Sequence, residues 1–299
     1  MRRFATGPLA AAQADEVAGV WRADACHDDG EALVTAEDFA TLVKRPSCDL
    51  ERDSIGVRDR DRLVAFALLI DEPESFVHVL PSHHGRGIGA WLLRWTQDAG
   101  RAAGHDRSDQ SVSENARAAA QLLLADGFEP RWESWVFTLE LEREPDSPRL
   151  PPGYSIRTLE PGGDDDRRAH RVIDDAFGEW PDRDSQRFDD WAAETLGRPG
   201  FRPENLVLVE HAGDVVGAAV LVHEPDDGWV EQLAVARHHR GRGLGRALLE
   251  YGADVTWRRG VRRFGLGTDS RTGARGLYEH FGMRVRRSFT HYSKRLVPE

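Results

Sequence analysis

The sequence predicts an α/β (α+β) chain made of two tandem domains. Two observations carry this. The motif Gly-Arg-Gly-(Ile/Leu)-Gly begins at Gly85 and again at Gly241, an offset of 156. A second landmark, Ala-Asp-Gly-Phe ending at Phe128 and Glu-His-Phe-Gly-Met ending at Met283, closes a helical run in each half at an offset of 155. Two landmarks at nearly one spacing mark an internal duplication. The second half also alternates strand-like and helix-like stretches in the order β-α-α-β-β-β-α-β-α-β-β.

In the first repeat a strand ahead of Pro8 is barely marked. Residues 13–27 and 35–45 read as helices, and 54–58 with 63–70 as a hairpin. An apolar strand at 76–80 leads into the glycine motif. Gly87 opens an amphipathic helix, 115–126 is a second, and a strand at 132–141 completes the repeat. Residues 142–153 are polar, proline-rich and aperiodic, which predicts a linker between domains at 1–141 and 154–299. The second repeat runs from a strand at 154–158 through helices at 164–177 and 185–196, with Ser185 the expected N-cap. A hairpin at 206–210 and 215–222 turns at Ala212-Gly213-Asp214. A strand at 229–235, a helix at 243–259, a strand at 264–268, a helix at 272–281 and strands at 283–287 and 290–296 follow.

The chain has 299 residues, enough for two cores, with 40% hydrophobic and 30% charged side chains, as in globular proteins. The longest apolar run, 63–70, is far too short to span a bilayer, and no leader-like segment is visible. No membrane association and a cytoplasmic location are expected. Cys26 and Cys48 have no metal-ligand spacing, and the pairs His83-His84 and His238-His239 diverge without a third ligand, so no metal is expected. A net charge of −11 argues against nucleic acid as a partner. Residues 237–299, however, carry 15 basic and 5 acidic side chains, so the one basic segment coincides with the second glycine turn. Glycines let backbone N–H groups approach a ligand closely, and a helix N-terminus adds positive potential. The turn is therefore a candidate pyrophosphate site. Its Gly-x-Gly-x-Gly spacing and late position differ from the dinucleotide fingerprint.

The element order, Arg240-x-x-Gly243-x-Gly245 after an apolar strand, Glu231-Gln-Leu-Ala-Val-Ala236, and the stretch from Asp269 to Met283 resemble the GNAT (GCN5-related N-acetyltransferase) superfamily. The tandem layout is similar to that of mycothiol synthase. The resemblance implies two GNAT-type domains, each a mixed, mostly antiparallel central sheet flanked by helices, the first degenerate and the second catalytic. It implies acetyl-CoA as co-substrate in a wedge between two splayed strands. Pantetheine would lie along Leu233, Ala234 and Val235, and pyrophosphate on Arg240, Gly241, Arg242, Gly243, Leu244, Gly245 and Arg246. Ser270 stands where many relatives use an Asn against CoA. A small-molecule amine, expected to be cationic, would attack the thioester directly, in a monomer or homodimer. A non-catalytic acyl-CoA-binding or sensing protein and a mycothiol-synthase-like enzyme are the alternatives.

By the same resemblance Tyr278 is the acid for the departing thiolate. Glu231 is the leading base candidate, equally readable as a solvent-facing strand residue, and Asp227 is the second. The family commonly places its base nearer the strand start, where this chain has Trp229. Alternation along the strand puts Asp227, Trp229, Glu231 and Leu233 on one face. Trp180, Trp191 and Trp229 are candidates for the acceptor pocket, and one of the three is expected to touch substrate. Acidic residues around Asp174, Asp175, Glu179 and Asp182 could draw in a cationic amine, with a solvated helix face the expected role for most of them. The first repeat offers a degenerate cofactor loop at Gly85, Arg86, Gly87, Ile88 and Gly89. It is expected to be one residue short, since His84 runs directly into Gly85, and silent, since Leu123 stands in place of Tyr278 and no tyrosine precedes Tyr154.

Overall fold

The computed structural model describes residues 4–32, 34–44, 48–71, 74–180, 185–223 and 225–296. Asp182, Arg45 and the outermost residues of the two expected domains lie outside this set. Two compact units emerge, Met1–Glu133 with Arg287–Glu299, and Ser134–Arg286.

The chain begins with β1 (Ala5–Gly7), α1 (Ala14–Asp29), α2 (Ala36–Leu42) and the short α3 (Leu50–Asp53). It continues through β2 (Ser54–Asp59), β3 (Arg62–Asp71), β4 (Glu74–Val79), α4 (Ile88–Ala103), β5 (Arg107–Ser113) and α5 (Arg117–Ala125). Next come β6 (Glu129–Glu140), β7 (Tyr154–Thr158), α6 (Asp165–Phe177), α7 (Phe188–Thr195), β8 (Leu206–His211) and β9 (Asp214–His223). Then follow β10 (Asp227–Val235), α8 (Leu244–Arg258), β11 (Arg263–Asp269), α9 (Arg275–Phe281) and β12 (Arg284–Arg295).

In the first unit the strand order is β1-β2-β3-β4-β5-β12, and in the second β6-β11-β10-β9-β8-β7. Each ladder is antiparallel except β4–β5 and β10–β11. Both are mixed, mostly antiparallel sheets flanked by helices, as expected.

Unit membership does not follow chain order. Ser134–Glu140 of β6 pair with β11 of the second unit, from Asp269↔Ser134 to Arg263↔Glu140. Residues 289–295 of β12 pair with β5 of the first, from Phe289↔Ser113 to Arg295↔Arg107. The strand at 132–141 therefore does not complete the first unit. The two strands expected at 283–287 and 290–296 are one strand. The reason is local: neither 131–140 nor 284–295 contains a Gly or Pro, so nothing interrupts the extended backbone.

The central strands are apolar on both faces. Val64–Leu68 in β3 and Val216, Ala218 and Ala219 in β9 are buried, which suits strands covered by helices on either side. In the second unit α8 lays Leu244, Leu248 and Leu249 on one face, with Val230 of β10 and Phe264 of β11. The opposite face takes Ala169 and Ile173 of α6 and Trp191 of α7 over Ala218, Val220 and Ala234. Helix α8 is seated at Gly228, where a Cβ would stand 2.1 Å from Thr256 Oγ1, so only glycine lets it approach β10 this closely. Ser185 does not cap α7: Arg187 holds that position, and the Ser185 hydroxyl donates to Asp174.

Candidate active site

The site forms where two parallel strands part. Asp227–Val230 of β10 pair with Arg263–Leu266 of β11, and Val230↔Leu266 is the last pair. Beyond it Gln232–Val235 stay paired to β9 alone, while β11 stays paired to β6 as far as Asp269. Leu233, Ala234 and Val235 thus border the gap with a backbone edge that no second strand pairs, apart from Val235 O, which accepts from Arg240 Nε.

Glu231 is a bulge. Val230 opposes Leu221 and Gln232 opposes Val220, so Glu231 has no partner on β9. An extra residue reverses the alternation downstream. Trp229 and Gln232 therefore share the α6–α7 face, whereas Leu233 joins Val230 on the α8 face. This corrects the expectation that Asp227, Trp229, Glu231 and Leu233 lie on one face. Glu231 is exposed, 3.7 Å from Arg198 Nη2. Asp227 sits at the paired end of the ladder, 3.3 Å from Arg263.

Between β10 and α8 runs the glycine turn. Residues 237–239 form one helical turn, and Gly241 and Gly243 take φ of +72° and +83°. Gly243 is the N-cap of α8, and no side chain caps it. The first-turn N–H groups have no intrahelical acceptors and carry the positive end of the helix dipole. Leu244 is buried as the anchor, and a Cβ added at Gly245 would meet Leu277 of α9 and Leu233 at ordinary contact distances of 3.4 and 3.8 Å. Arg240 donates through Nε to Val235 O at 2.9 Å and through both Nη atoms to Glu179 at 2.8 and 3.0 Å. Those bonds hold the Glu179 carboxyl below its usual range. Glu179 is thus engaged with the loop, and Asp174 with Ser185 and Gln186, instead of standing ready for a cation. Arg246 pairs with Glu250 one turn on.

Tyr278 is buried on α9, its ring 5.6 Å from that of Phe137. Burial pushes its phenol up, partly offset by a hydrogen bond with Thr268. Thr268 lies on β11 two residues beyond the last parallel pair, so the phenol borders the gap. A phenol kept protonated suits a proton donor. Ser270 is exposed in the turn after β11. Trp180 stacks on Phe177 at 4.8 Å, with Arg271 Cζ 5.8 Å from its ring. Trp191 is 1% exposed, with Nε1 donating to Gln232 Oε1 at 2.8 Å, so it is core and not a contact surface. Trp229 is partly exposed over Gly265 and Gly267, where added Cβ atoms would meet its ring at 2.9 and 3.8 Å. Gln232, Arg198 and Thr268 were not singled out from sequence. A bulge at Val-Glu-Gln carries no glycine to announce it.

The first unit repeats this geometry. Its parallel ladder is the single pair Glu74↔Asp109. Gly85 and Gly87 have φ of +72° and +78°, and Ile88 is buried at the start of α4. An added Cβ at Gly89 would lie 3.5 Å from Leu122, as one at Gly245 lies 3.4 Å from Leu277. The expected one-residue shortening is corrected: the offset of 156 holds through the turn, and His84 occupies the place of Arg240. His84 Nε2 is 2.8 Å from Val79 O and 3.2 Å from Asp24, reproducing the Arg240 bond to Val235. Leu123 stands where Tyr278 does, but β12 brings Tyr292 into the same apolar cluster, so the unit does contain a phenol.

Among the described residues, no helix is long and apolar enough to cross a membrane, and no three His, Cys, Asp or Glu side chains group as metal ligands. The sequence matches the acetyltransferase (GNAT) family twice, over residues 8–128 and 167–283. It is 33% identical over 243 residues to a mycothiol acetyltransferase of Thermobispora bispora, covering 75% of this chain and 77% of that protein. A mycothiol acetyltransferase of Pseudarthrobacter chlorophenolicus is 30% identical over 278 residues, covering 85% and 84%. A GCN5-related N-acetyltransferase from Sphaerobacter thermophilus superposes with a TM-score of 0.87 at 27% identity, covering 100% of this chain and 97% of that one. A tandem GNAT protein from the clavulanic acid biosynthesis pathway shares the fold, with a TM-score of 0.76 at 19% identity over 99% of both chains. The repeated loop, the parted strands and these matches agree: the chain belongs to the acetyltransferase (GNAT) family, with one family domain in each half.

Proposed function

We propose that the second unit transfers the acetyl group of acetyl-CoA to the amine of a small molecule by direct attack. The observation that carries this is the parting of β10 and β11 after Val230 and Leu266. It is bordered by the glycine turn on one side and the Tyr278 phenol on the other. Pyrophosphate would rest on the N–H groups from Arg240 to Arg246, and pantetheine along Leu233–Val235, with Ser270 a further contact. The amine lone pair attacks the thioester carbon, the C–S bond breaks, and the thiolate takes a proton from Tyr278, which regains one from water. The amine's surplus proton leaves through Glu231, whose exposed carboxylate at the bulge can pass it to water. Trp180 and Trp229 would border the acceptor. The first unit serves as a partner that is catalytically silent.

Titration with acetyl-CoA, followed by release of free CoA thiol in the presence of pooled amines, tests this reading. Binding with amine-dependent thiol release supports it, and binding without release contradicts the enzyme and favours an acyl-CoA sensor. A second reading, that the acceptor is the one for which the mycothiol acetyltransferases are named, is favoured by their 33% and 30% identity. Use of that acceptor in preference to simple amines in the same thiol-release assay would select this reading.

A further inference from the structure

The bulge at Glu231 has a chemical consequence for the acceptor. In an unbroken strand residues 229 and 232 point to opposite faces. Here they point to the same one, and each is prepared in a different way.

Trp229 belongs to neither apolar cluster of its unit. Its ring lies along β11 where Gly265 and Gly267 leave no side chains, and Gly267 is exposed. Glycines inside a strand weaken it and mark close approach of another group. Gly265 is filled by the indole, and Gly267 leaves the strand open beside it. The result is an aromatic shelf on the acceptor side.

Gln232 has a fixed amide. Indole Nε1–H is a donor only, so the atom 2.8 Å from Trp191 Nε1 is the carbonyl oxygen of Gln232. Trp191 cannot swing away, because it is buried and enclosed by His170 and Phe188 at ring distances of 5.3 and 6.1 Å. The amide nitrogen has no hydrogen-bond partner among the described residues. Two oriented N–H donors therefore stand on the shelf's face, two residues past the last β10–β11 pair.

We propose that Trp229 and Gln232 select the acceptor: an amine whose carbon frame presents an apolar ring face to Trp229 and a hydroxyl or carbonyl oxygen to the Gln232 amide. Trp191 is a positioning residue that acts only through Gln232. The acceptor is thus a hydroxylated or acylated cyclic amine, recognised by its oxygen as much as by its nitrogen. This rests on the reading that the second unit acetylates an amine. A polar group left unpaired in a partly buried site weakens binding severalfold, and a site built to bond an oxygen discriminates against ligands lacking it.

The test uses the full chain, acetyl-CoA and two matched acceptors, trans-2-aminocyclohexanol and cyclohexylamine. The hydroxylated amine is expected to have a kcat/KM about tenfold higher. Gln232→Met, close in shape but uncharged and without amide donors, should erase that preference, the ratio of kcat/KM for the two amines falling toward one. Trp191→Phe should raise KM for the hydroxylated amine alone, a selectivity that a general loss of packing would not produce. Trp229→Ala should raise KM for both amines. Equal use of the two amines by the wild type, or a Gln232→Met variant that keeps the preference, overturns this inference and leaves the acetyltransferase reading intact. Absence of turnover with both amines and with glucosamine, while acetyl-CoA still binds, contradicts both.

Discussion

Val230 and Leu266 form the last register pair between β10 and β11, and the loop, the phenol and the bulge all lie just beyond it. Before that pair Asp227 is tied to Arg263, and Gly228 is pinned beneath Thr256. After it, one edge of β10 has no strand partner. The transition from sealed sheet to open gap takes a single residue step.

Gly243 has φ of +83° with open space around its Cβ position. Valine there would strain the backbone by about 1–2 kcal/mol and place a side chain over the helix N-terminus. Gly243→Val is expected to fold and to lose acetyl-CoA binding by calorimetry. Unchanged affinity in a folded variant would exclude this turn as the cofactor site.

Tyr278→Phe keeps the ring against Phe137 and removes only the hydroxyl. Turnover should fall roughly 10²-fold with acetyl-CoA affinity nearly intact, as for loss of a general acid. Full turnover would return Tyr278 to a packing role. A large drop in melting temperature would mark the Thr268 bond as structural.

The first unit has the same loop conformation but Leu123 where the second has Tyr278, the proposed acid. A full chain carrying Gly243→Val and Tyr278→Phe is expected to show only background acetylation of the acceptor that the wild type uses. Residual turnover near wild type would place catalysis in the first unit. Tyr292, packed beside Leu123, would then be the phenol to remove next.

His223 gives a stability prediction with a definite sign. Asn205 Nδ2 lies 3.1 Å from its Nδ1, so the neutral ring accepts there. Burial, with nearby Arg259, pushes its pKa down to about 4 from 6.5. The unfolded chain therefore binds a proton that the folded chain refuses between those values. Stability is unaffected by this group above pH 6.5, declines as pH falls from 6.5 toward 4, and levels off below. Thermal melts of His223→Gln should show a shallower decline across that window. Parallel curves would assign the acid sensitivity elsewhere.

Much of the architecture was legible in the sequence. The glycine motif and the helix-closing landmark recur at nearly one offset, and both turns have the same backbone conformation. The apolar run 206–210 read directly as a strand, which the structure extends by one residue to Leu206–His211. By contrast β5, Arg-Ser-Asp-Gln-Ser-Val-Ser, buries Ser108, Asp109 and Gln110, so no hydrophobic pattern announced it. Its Asp109 carboxyl, pushed up by burial, is kept by the Ser293 hydroxyl on a strand that joins the unit from the far end of the chain. Local patterning cannot reveal a partner that distant. The bulge at Glu231 was hidden for another reason: register is a property of two strands, and neither sequence alone records a slip between them. That slip moved Leu233 off the face of Trp229 and brought Gln232 onto it.

Acetyl-CoA is proposed to enter the gap beyond Val230 and Leu266 in the second unit, and crystals grown with acetyl-CoA would show where it lies. Pyrophosphate density is expected on the N–H groups of Gly241 to Arg246, pantetheine along Leu233 to Val235, and sulfur within hydrogen-bond reach of the Tyr278 hydroxyl. Density confined to another surface, or a thioester sulfur remote from Tyr278, would contradict it.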